Sequence, residues 1–91
     1  MKNEAFVPGE IVISRAGRDE GRAFVVSELL DADYVLLTDG RLRTLDRPKK
    51  KKRKHLRKTT CAARLEMHTR LCDADVRKFL ASQGYENDRN E

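Results

Sequence analysis

Residues 9–26 read GEIVISRAGRDEGRAFVV. Two runs rich in β-branched residues, 10–14 and 22–29, flank a polar stretch that contains Gly17 and Gly21. β-Branched side chains favour strands, and glycine tolerates the positive φ that a tight turn needs. This part of the chain therefore predicts two strands joined by a glycine-bearing turn.

The strand pattern continues after the second run. Residues 34–38 form a third apolar run that ends at Asp39 and Gly40, and Asp-Gly between extended segments is a strong hairpin signal. Residues 41–45 then alternate charged and apolar side chains, which predicts a half-buried strand with a cationic outer face. Residues 53–60 are a candidate for the closing strand. Short strands separated by turn signals predict a small antiparallel β-barrel.

The pattern changes near residue 61. Four side chains recur at the spacing of one helical stripe: Cys61, Leu65, His68 and Cys72. They predict a first helix that packs against the barrel.

A second helix is marked more strongly. Val76, Phe79 and Leu80 form an apolar face at helical spacing. Asp73 is a suitable N-cap, and Gly84 suits the C-terminal stop. The sequence therefore predicts one or two C-terminal helices.

The chain is long enough for one small domain and a tail, because it has 91 residues and a single core usually takes about 100 to 150. We expect a barrel over residues 1–60, a helical extension over 61–83 and a disordered tail over 84–91. Two independent domains are excluded by length.

Positive charge is concentrated in one stretch, residues 41–58, called the basic segment below. It contains eleven Lys and Arg and one acid, Asp46, whereas the whole chain has a net charge of +5. Such segregation favours a polyanionic partner. The alternatives for such a basic cluster are a nuclear localisation signal or a loop that only increases solubility.

Residues 9–26 also resemble the KOW motif, in which one glycine opens a hydrophobic strand and another, matched here by Gly21, lies in the loop before the next strand. Residues 34–40 and the basic residues 48–56 are similar to the ribosomal large-subunit fourteen-e family and to small bacterial KOW RNA-binding proteins. The resemblance covers residues 7–60. It implies an SH3-like barrel and RNA binding.

The candidate RNA-binding residues lie in the glycine-bearing turn and in the basic segment. A glycine lets the backbone approach a phosphate closely, and neighbouring arginines donate hydrogen bonds to it. The alternative for Gly17 and Gly21 is that they only build a hairpin. The predicted set is Arg15, Gly17, Arg18, Gly21, Arg22, Arg41, Arg43, Arg47, Lys49, Lys50, Lys51, Lys52, Arg53, Lys54, His55, Arg57 and Lys58.

Enzymes and metal proteins are disfavoured. No nucleophile elbow or phosphate-loop motif accompanies His55 or His68. Cys61 and Cys72 lack the C-x-x-C spacing of a zinc site, so no metal or cofactor is expected and both thiols should be free. Five scattered aromatic residues do not make a stacking platform, which favours recognition of folded RNA by its backbone and shape.

The sequence thus predicts a mainly β protein, a small SH3-like barrel with one or two C-terminal helices, that binds RNA without catalysis. The resemblance makes ribosomal RNA the expected partner, with ribosomal proteins as further candidates, in ribosome function or assembly. No apolar run reaches the roughly 18 residues of a membrane span, and two cysteines make no disulfide framework, so a cytoplasmic protein without a membrane or small-molecule partner is expected. The alternative is a protein-interaction module, as KOW barrels of transcription elongation factors are.

Overall fold

The computed structural model of the protein describes residues 5–86. Two short 3-10 turns, Gly17–Asp19 and Arg53–His55, interrupt the chain between strands. The predicted mainly β fold with a C-terminal helix is confirmed. The regular elements are β1 Ile11–Ser14, β2 Ala23–Leu29, β3 Tyr34–Thr38, β4 Lys49–Lys52, β5 Leu56–Lys58 and α1 Asp73–Ser82.

All five strands form one antiparallel sheet in the order β4-β3-β2-β1-β5. The two edge strands, β4 and β5, are joined only by the turn Arg53–His55. Edges of a flat five-stranded sheet would lie about 19 Å apart, whereas the four residue steps from Lys52 to Leu56 span at most about 14 Å. The sheet is therefore strongly curved, although no ladder joins β4 to β5 within residues 5–86.

The first core lies on one face of the sheet, called the inner face. Leu37 of β3 and Leu56 of β5 belong to the same cluster, although β2 and β1 lie between these two strands in the sheet. The curvature of the sheet brings the two side chains together. The members of this core are Phe6, Val12, Phe24, Val26, Val35, Leu37 and Leu56.

A second core lies on the opposite, outer face. Ile11, Ile13 and Val25 of the central strands pack there against Val76 and Leu80 of α1. The central strands β1 and β2 are thus buried on both faces, which explains why their sequences are continuous apolar runs rather than alternating ones.

The predicted first helix is wrong, because residues 61–72 contain no helix. From Cys61 to Met67, half-buried and exposed residues alternate, and the Leu65 N–H donates to the Gly9 carbonyl at 2.9 Å. The apolar residues of this segment fit the spacing of a helix and also the alternation of an extended chain. The structure adopts the extended conformation, in which these residues pack on the outer face of the sheet. This segment covers the sheet as an extended strap.

The predicted strand over residues 41–45 is also wrong. The Asp39 carboxylate accepts the backbone N–H groups of Arg41 at 2.9 Å and Arg43 at 3.0 Å, so the chain folds into a compact turn instead of extending. Its place beside β3 is taken by β4, which begins directly after Pro48. Of the candidate closing strand 53–60, only Leu56–Lys58 is a strand.

Helix α1 confirms the second predicted helix, with a different N-cap. Cys72 is the N-cap residue, and the Asp75 carboxylate accepts hydrogen bonds from its backbone N–H and its thiol. These bonds lower the pKa of Asp75. The Asp73 carboxylate instead accepts the Leu45 N–H at 2.8 Å and so ties the basic segment to the helix. No helix within residues 5–86 is long and apolar enough to cross a membrane.

The helix ends in a Schellman motif. Gly84 has φ +83°, its N–H donates to Ala81, and the Tyr85 N–H donates to Leu80 at 2.8 Å. Tyr85 is half-buried against the outer core. Of the tail predicted to be disordered, 84–91, residues 87–91 lie outside the described residues.

Candidate nucleic-acid interface

The glycine-bearing turn, residues 15–22, packs against the basic segment. Lys51 Nζ donates to the Ala16 carbonyl at 3.0 Å, and Lys49 Nζ lies 3.1 Å from the Asp19 carboxylate. Two predicted sites that are some thirty residues apart in sequence are therefore neighbours in the fold.

Both glycines of this turn have positive φ, +79° at Gly17 and +88° at Gly21. The Gly21 N–H donates to the Ser14 carbonyl at 2.8 Å, which closes the turn. Apart from Gly21 itself and its two chain neighbours, no described residue has an atom within 4 Å of the position that a Cβ of Gly21 would occupy. The turn thus needs glycine for its backbone conformation, and the space beside Gly21 is open to a ligand.

The lysines of β4 divide into two pairs because side chains alternate across a strand. Lys49 lies opposite Leu37 and Lys51 opposite Val35, both residues of the inner core. Directly opposite residues share a face of the sheet, so this pair points inward and reaches the turn. Lys49 and Lys51 are accordingly half-buried and hold the turn in place.

The other pair, Lys50 and Lys52, lies on the outer face and is exposed. Lys52 is opposite Tyr34, and Lys50 Nζ lies 4.6 Å from the centroid of the Tyr34 ring. Neither lysine makes an ion pair within residues 5–86, so both ammonium groups are available to an anion.

The turn between the edge strands adds further cations. Lys54 and Arg57 are exposed and make no side-chain hydrogen bond or ion pair in the described part of the chain. Arg53 is half-buried, with its guanidinium 5.9 Å from the centroid of the Phe6 ring, and its Nε has no hydrogen-bond partner among the described residues. Arg53 therefore packs against the core and is less accessible to an anion than Lys54 or Arg57.

The arginines of the glycine-bearing turn lie beside this second turn. The Arg15 N–H donates to the His55 carbonyl at 2.7 Å, while the side chains of Arg15 and Arg18 are exposed. The place where β4, β5 and both turns meet is called the seam below. Around it lie six exposed cations without an ion pair or side-chain hydrogen bond within residues 5–86: Arg15, Arg18, Lys50, Lys52, Lys54 and Arg57.

Other members of the predicted set are neutralised. Arg22 Nη2 lies 3.2 Å from Oδ2 of Asp39, whose side chain is 1% exposed. Lys58 Nζ lies 3.0 Å from the Glu10 carboxylate, which is also nearly buried. These two pairs stabilise the fold, because removing Arg22 or Lys58 would leave a buried carboxylate without its cation.

Arg41, Arg43 and Arg47 lie in the loop that precedes β4. Arg41 is exposed and 3.7 Å from the Glu86 carboxylate, Arg43 is half-buried, and Arg47 is exposed. The Arg22–Asp39 pair joins this loop to the glycine-bearing turn.

A negative charge borders the seam. Asp31 accepts the backbone N–H groups of Asp33 and Tyr34, both at 2.8 Å, and these bonds lower its pKa. The positive charges of Lys50 and Arg53 act in the same direction.

The described residues give no support for a metal centre. No group of three His, Cys, Asp or Glu side chains within residues 5–86 is arranged to hold a metal ion. Cys61 is half-buried, with its sulfur 3.4 Å from Oε1 of Gln83, and Cys72 is exposed, and both are free thiols.

Two features of the interface were missed by sequence reasoning. The pairing of Lys49 and Lys58 with acids depends on tertiary contacts that no local pattern reveals. The position of Tyr34 beside Lys50 follows from the register of β3 and β4, which was not predicted because residues 41–45 were assigned to the fourth strand.

Compared with protein-family models and with curated proteins, the chain matches none. The functional assignment therefore rests on the geometry of the seam and on the resemblance of the glycine-bearing turn to the KOW motif.

Proposed function

We propose that this chain is a non-enzymatic RNA-binding protein that docks the backbone of folded RNA against the seam. The observation that carries the proposal is the set of six exposed cations that make no ion pair within residues 5–86, next to the open backbone at Gly21. Phosphate oxygens are the ligands such donors select. Cationic side chains on a curved, rigid sheet recognise the spacing of phosphates rather than the identity of bases.

The finer fold proposal is an SH3-like barrel. Its support is the strong curvature of the five-stranded antiparallel sheet, in which the three-residue turn Arg53–His55 holds the two edges together.

The resemblance to the ribosomal fourteen-e family makes ribosomal RNA the proposed partner and the cytoplasm the proposed location, in the ribosome or its assembly. Ribosomal proteins are proposed as further neighbours there. The positive charge alone would bind the phosphates of DNA equally well, because the interaction with phosphate does not depend on the sugar.

A simpler explanation exists for the lysines of β4. Natural sheets often carry lysine on an edge strand, where it prevents pairing with another chain. That explanation covers Lys50 and Lys52 but does not account for Arg15, Arg18 or Arg57, which lie outside β4. The clustering of all of them around one seam favours a bound polyanion.

The salt dependence of binding tests the proposal. If the six exposed cations neutralise phosphates, the logarithm of the affinity for a structured RNA should fall against the logarithm of salt concentration with a slope of about −4 to −5, since each contact contributes roughly −0.7 to −0.9. Fluorescence anisotropy with a labelled RNA hairpin measures it. A slope near zero, or no binding at low salt, would contradict the proposal and favour a protein-interaction module.

A further inference from the structure

One acid of the glycine-bearing turn directs its side chain into the fold. Asp19 is half-buried, whereas its two neighbours in sequence, Arg18 and Glu20, are exposed. The Asp19 carboxylate lies 3.1 Å from Lys49 Nζ, and the side chains of Asp19 and Lys49 are only 14% and 25% exposed. An ion pair that is shielded from water in this way is screened less by salt than a surface pair.

A second contact joins the same two segments of the chain. Lys51 Nζ donates to the Ala16 carbonyl at 3.0 Å, and Ala16 is the residue before the short 3-10 turn Gly17–Asp19. Lys49 and Lys51 share one face of β4, so this strand holds the 3-10 turn at both of its ends. The contacts of Lys49 with Asp19 and of Lys51 with Ala16 are together called the clasp below.

Backbone hydrogen bonds close the glycine-bearing turn internally. The Gly21 N–H donates to the Ser14 carbonyl at 2.8 Å, and the Arg22 N–H donates to the Asp19 carbonyl at 2.9 Å. These bonds set the shape of the turn, whereas the clasp ties the turn to β4.

The turn carries two of the six exposed cations of the seam. Arg18 is adjacent in sequence to Asp19, and Arg15 is adjacent to Ala16, so each arginine lies next to a residue that the clasp anchors. Donors that are held in place before a ligand arrives lose less conformational entropy on binding. The clasp therefore preorganises both arginines at the seam.

We propose that Asp19 is a positioning residue for RNA binding, which acts through Lys49 to hold Arg15 and Arg18 where they contact phosphate. This inference rests on the proposed RNA binding at the seam. It gives a favourable role to an acid that charge alone would count as unfavourable, because a carboxylate near phosphates repels them. Lys49 and Lys51 accordingly contribute to affinity through the turn and make no phosphate contact of their own.

Two substitutions in the same turn test the inference, because their expected effects differ although each removes one negative charge. Asp19→Asn breaks the ion pair with Lys49 and should weaken binding to a labelled RNA hairpin about 10-fold. Glu20→Gln changes an exposed side chain that makes no ion pair within residues 5–86, and should leave the affinity unchanged or raise it up to about twofold.

The salt dependence of the two variants should differ as well. The slope of the logarithm of affinity against the logarithm of salt concentration should become shallower by about 1.5 in Asp19→Asn, since Arg15 and Arg18 each contribute roughly 0.7 to 0.9. In Glu20→Gln the slope should equal that of the wild type. Anisotropy titrations measure both, at a temperature that thermal melts place well below the unfolding of every variant.

A double-mutant cycle shows whether Asp19 acts through the two arginines. In a chain that carries Arg15→Ala and Arg18→Ala, adding Asp19→Asn should cause no further loss of affinity, because the side chains that Asp19 positions are gone.

The outcomes separate the positioning role from the proposal on which it rests. Equal or tighter binding of Asp19→Asn, or the same loss with and without the two arginines, would overturn the positioning role while RNA binding at the seam would stand. Failure of the wild type to bind the hairpin at low salt would overturn RNA binding itself.

Discussion

Replacing both Lys50 and Lys52 with glutamate is expected to weaken binding to a structured RNA about 100-fold at physiological salt, because two attractive phosphate contacts become repulsive. Both side chains are exposed on the outer face of β4 and make no ion pair within residues 5–86, so the fold should be retained. Anisotropy titrations give the affinity, and a thermal melt checks the fold. Arg53 is left unchanged because its side chain packs on Phe6.

A charge-matched control distinguishes the seam from net charge. Arg70→Glu with Lys78→Glu changes the formal charge by the same amount on exposed residues of the strap and the helix, away from the seam. This variant should lose far less affinity. Equal losses in the two variants would mean that RNA senses only the overall charge, and the interface described above would be wrong.

The second large effect concerns stability. Gly9 has φ +95°, and a Cβ at this position would overlap the Leu65 carbonyl of the strap. Gly9→Ala must therefore strain the backbone and push the strap off the sheet, at a cost of about 3 kcal/mol or more. For a domain of this size the melting temperature should fall by about 15 °C, measured by circular dichroism.

Gly21→Ala is the control for the backbone contribution. Gly21 has a similar φ of +88°, but no described atom lies near its missing Cβ. Only the conformational cost remains there, about 1 kcal/mol. If both variants lose the same stability, the contact between Gly9 and the strap contributes nothing, and the strap is not held as described.

The central part of the fold was accessible from sequence because its signals are local. The third strand was predicted with the bounds observed, Tyr34–Thr38, and the first two strands differ by a single residue at the start. Each run is short, rich in β-branched or aromatic residues and bounded by turn residues, and these three signals together favour a strand over a helix. Helix α1 was predicted for the same reason, since its apolar face and its terminal Gly84 agree.

The two errors arose where a local pattern permits two structures. Cys61 and Leu65 fit the spacing of a helix and also the alternation of an extended chain. The extended conformation is adopted because it covers the apolar outer face of β1 and β2. Around Arg41 and Arg43, the alternating pattern is overridden by one buried carboxylate, Asp39, whose hydrogen bonds fold the turn.

For the candidate interface, composition identified the basic segment but not which of its cations are available. The register of β4 on β3 turns Lys49 and Lys51 inward, where they bind the glycine-bearing turn, and leaves Lys50 and Lys52 outside. A run of four identical residues carries no information on that division.

In-cell crosslinking to RNA, followed by sequencing of the attached fragments, is the most direct test of the proposed binding to ribosomal RNA. We expect the fragments to be concentrated in one region of ribosomal RNA, and to be lost when Lys50 and Lys52 are replaced with glutamate. Fragments spread over many transcripts would contradict the ribosomal assignment. Recovery of no RNA above background would contradict RNA binding itself.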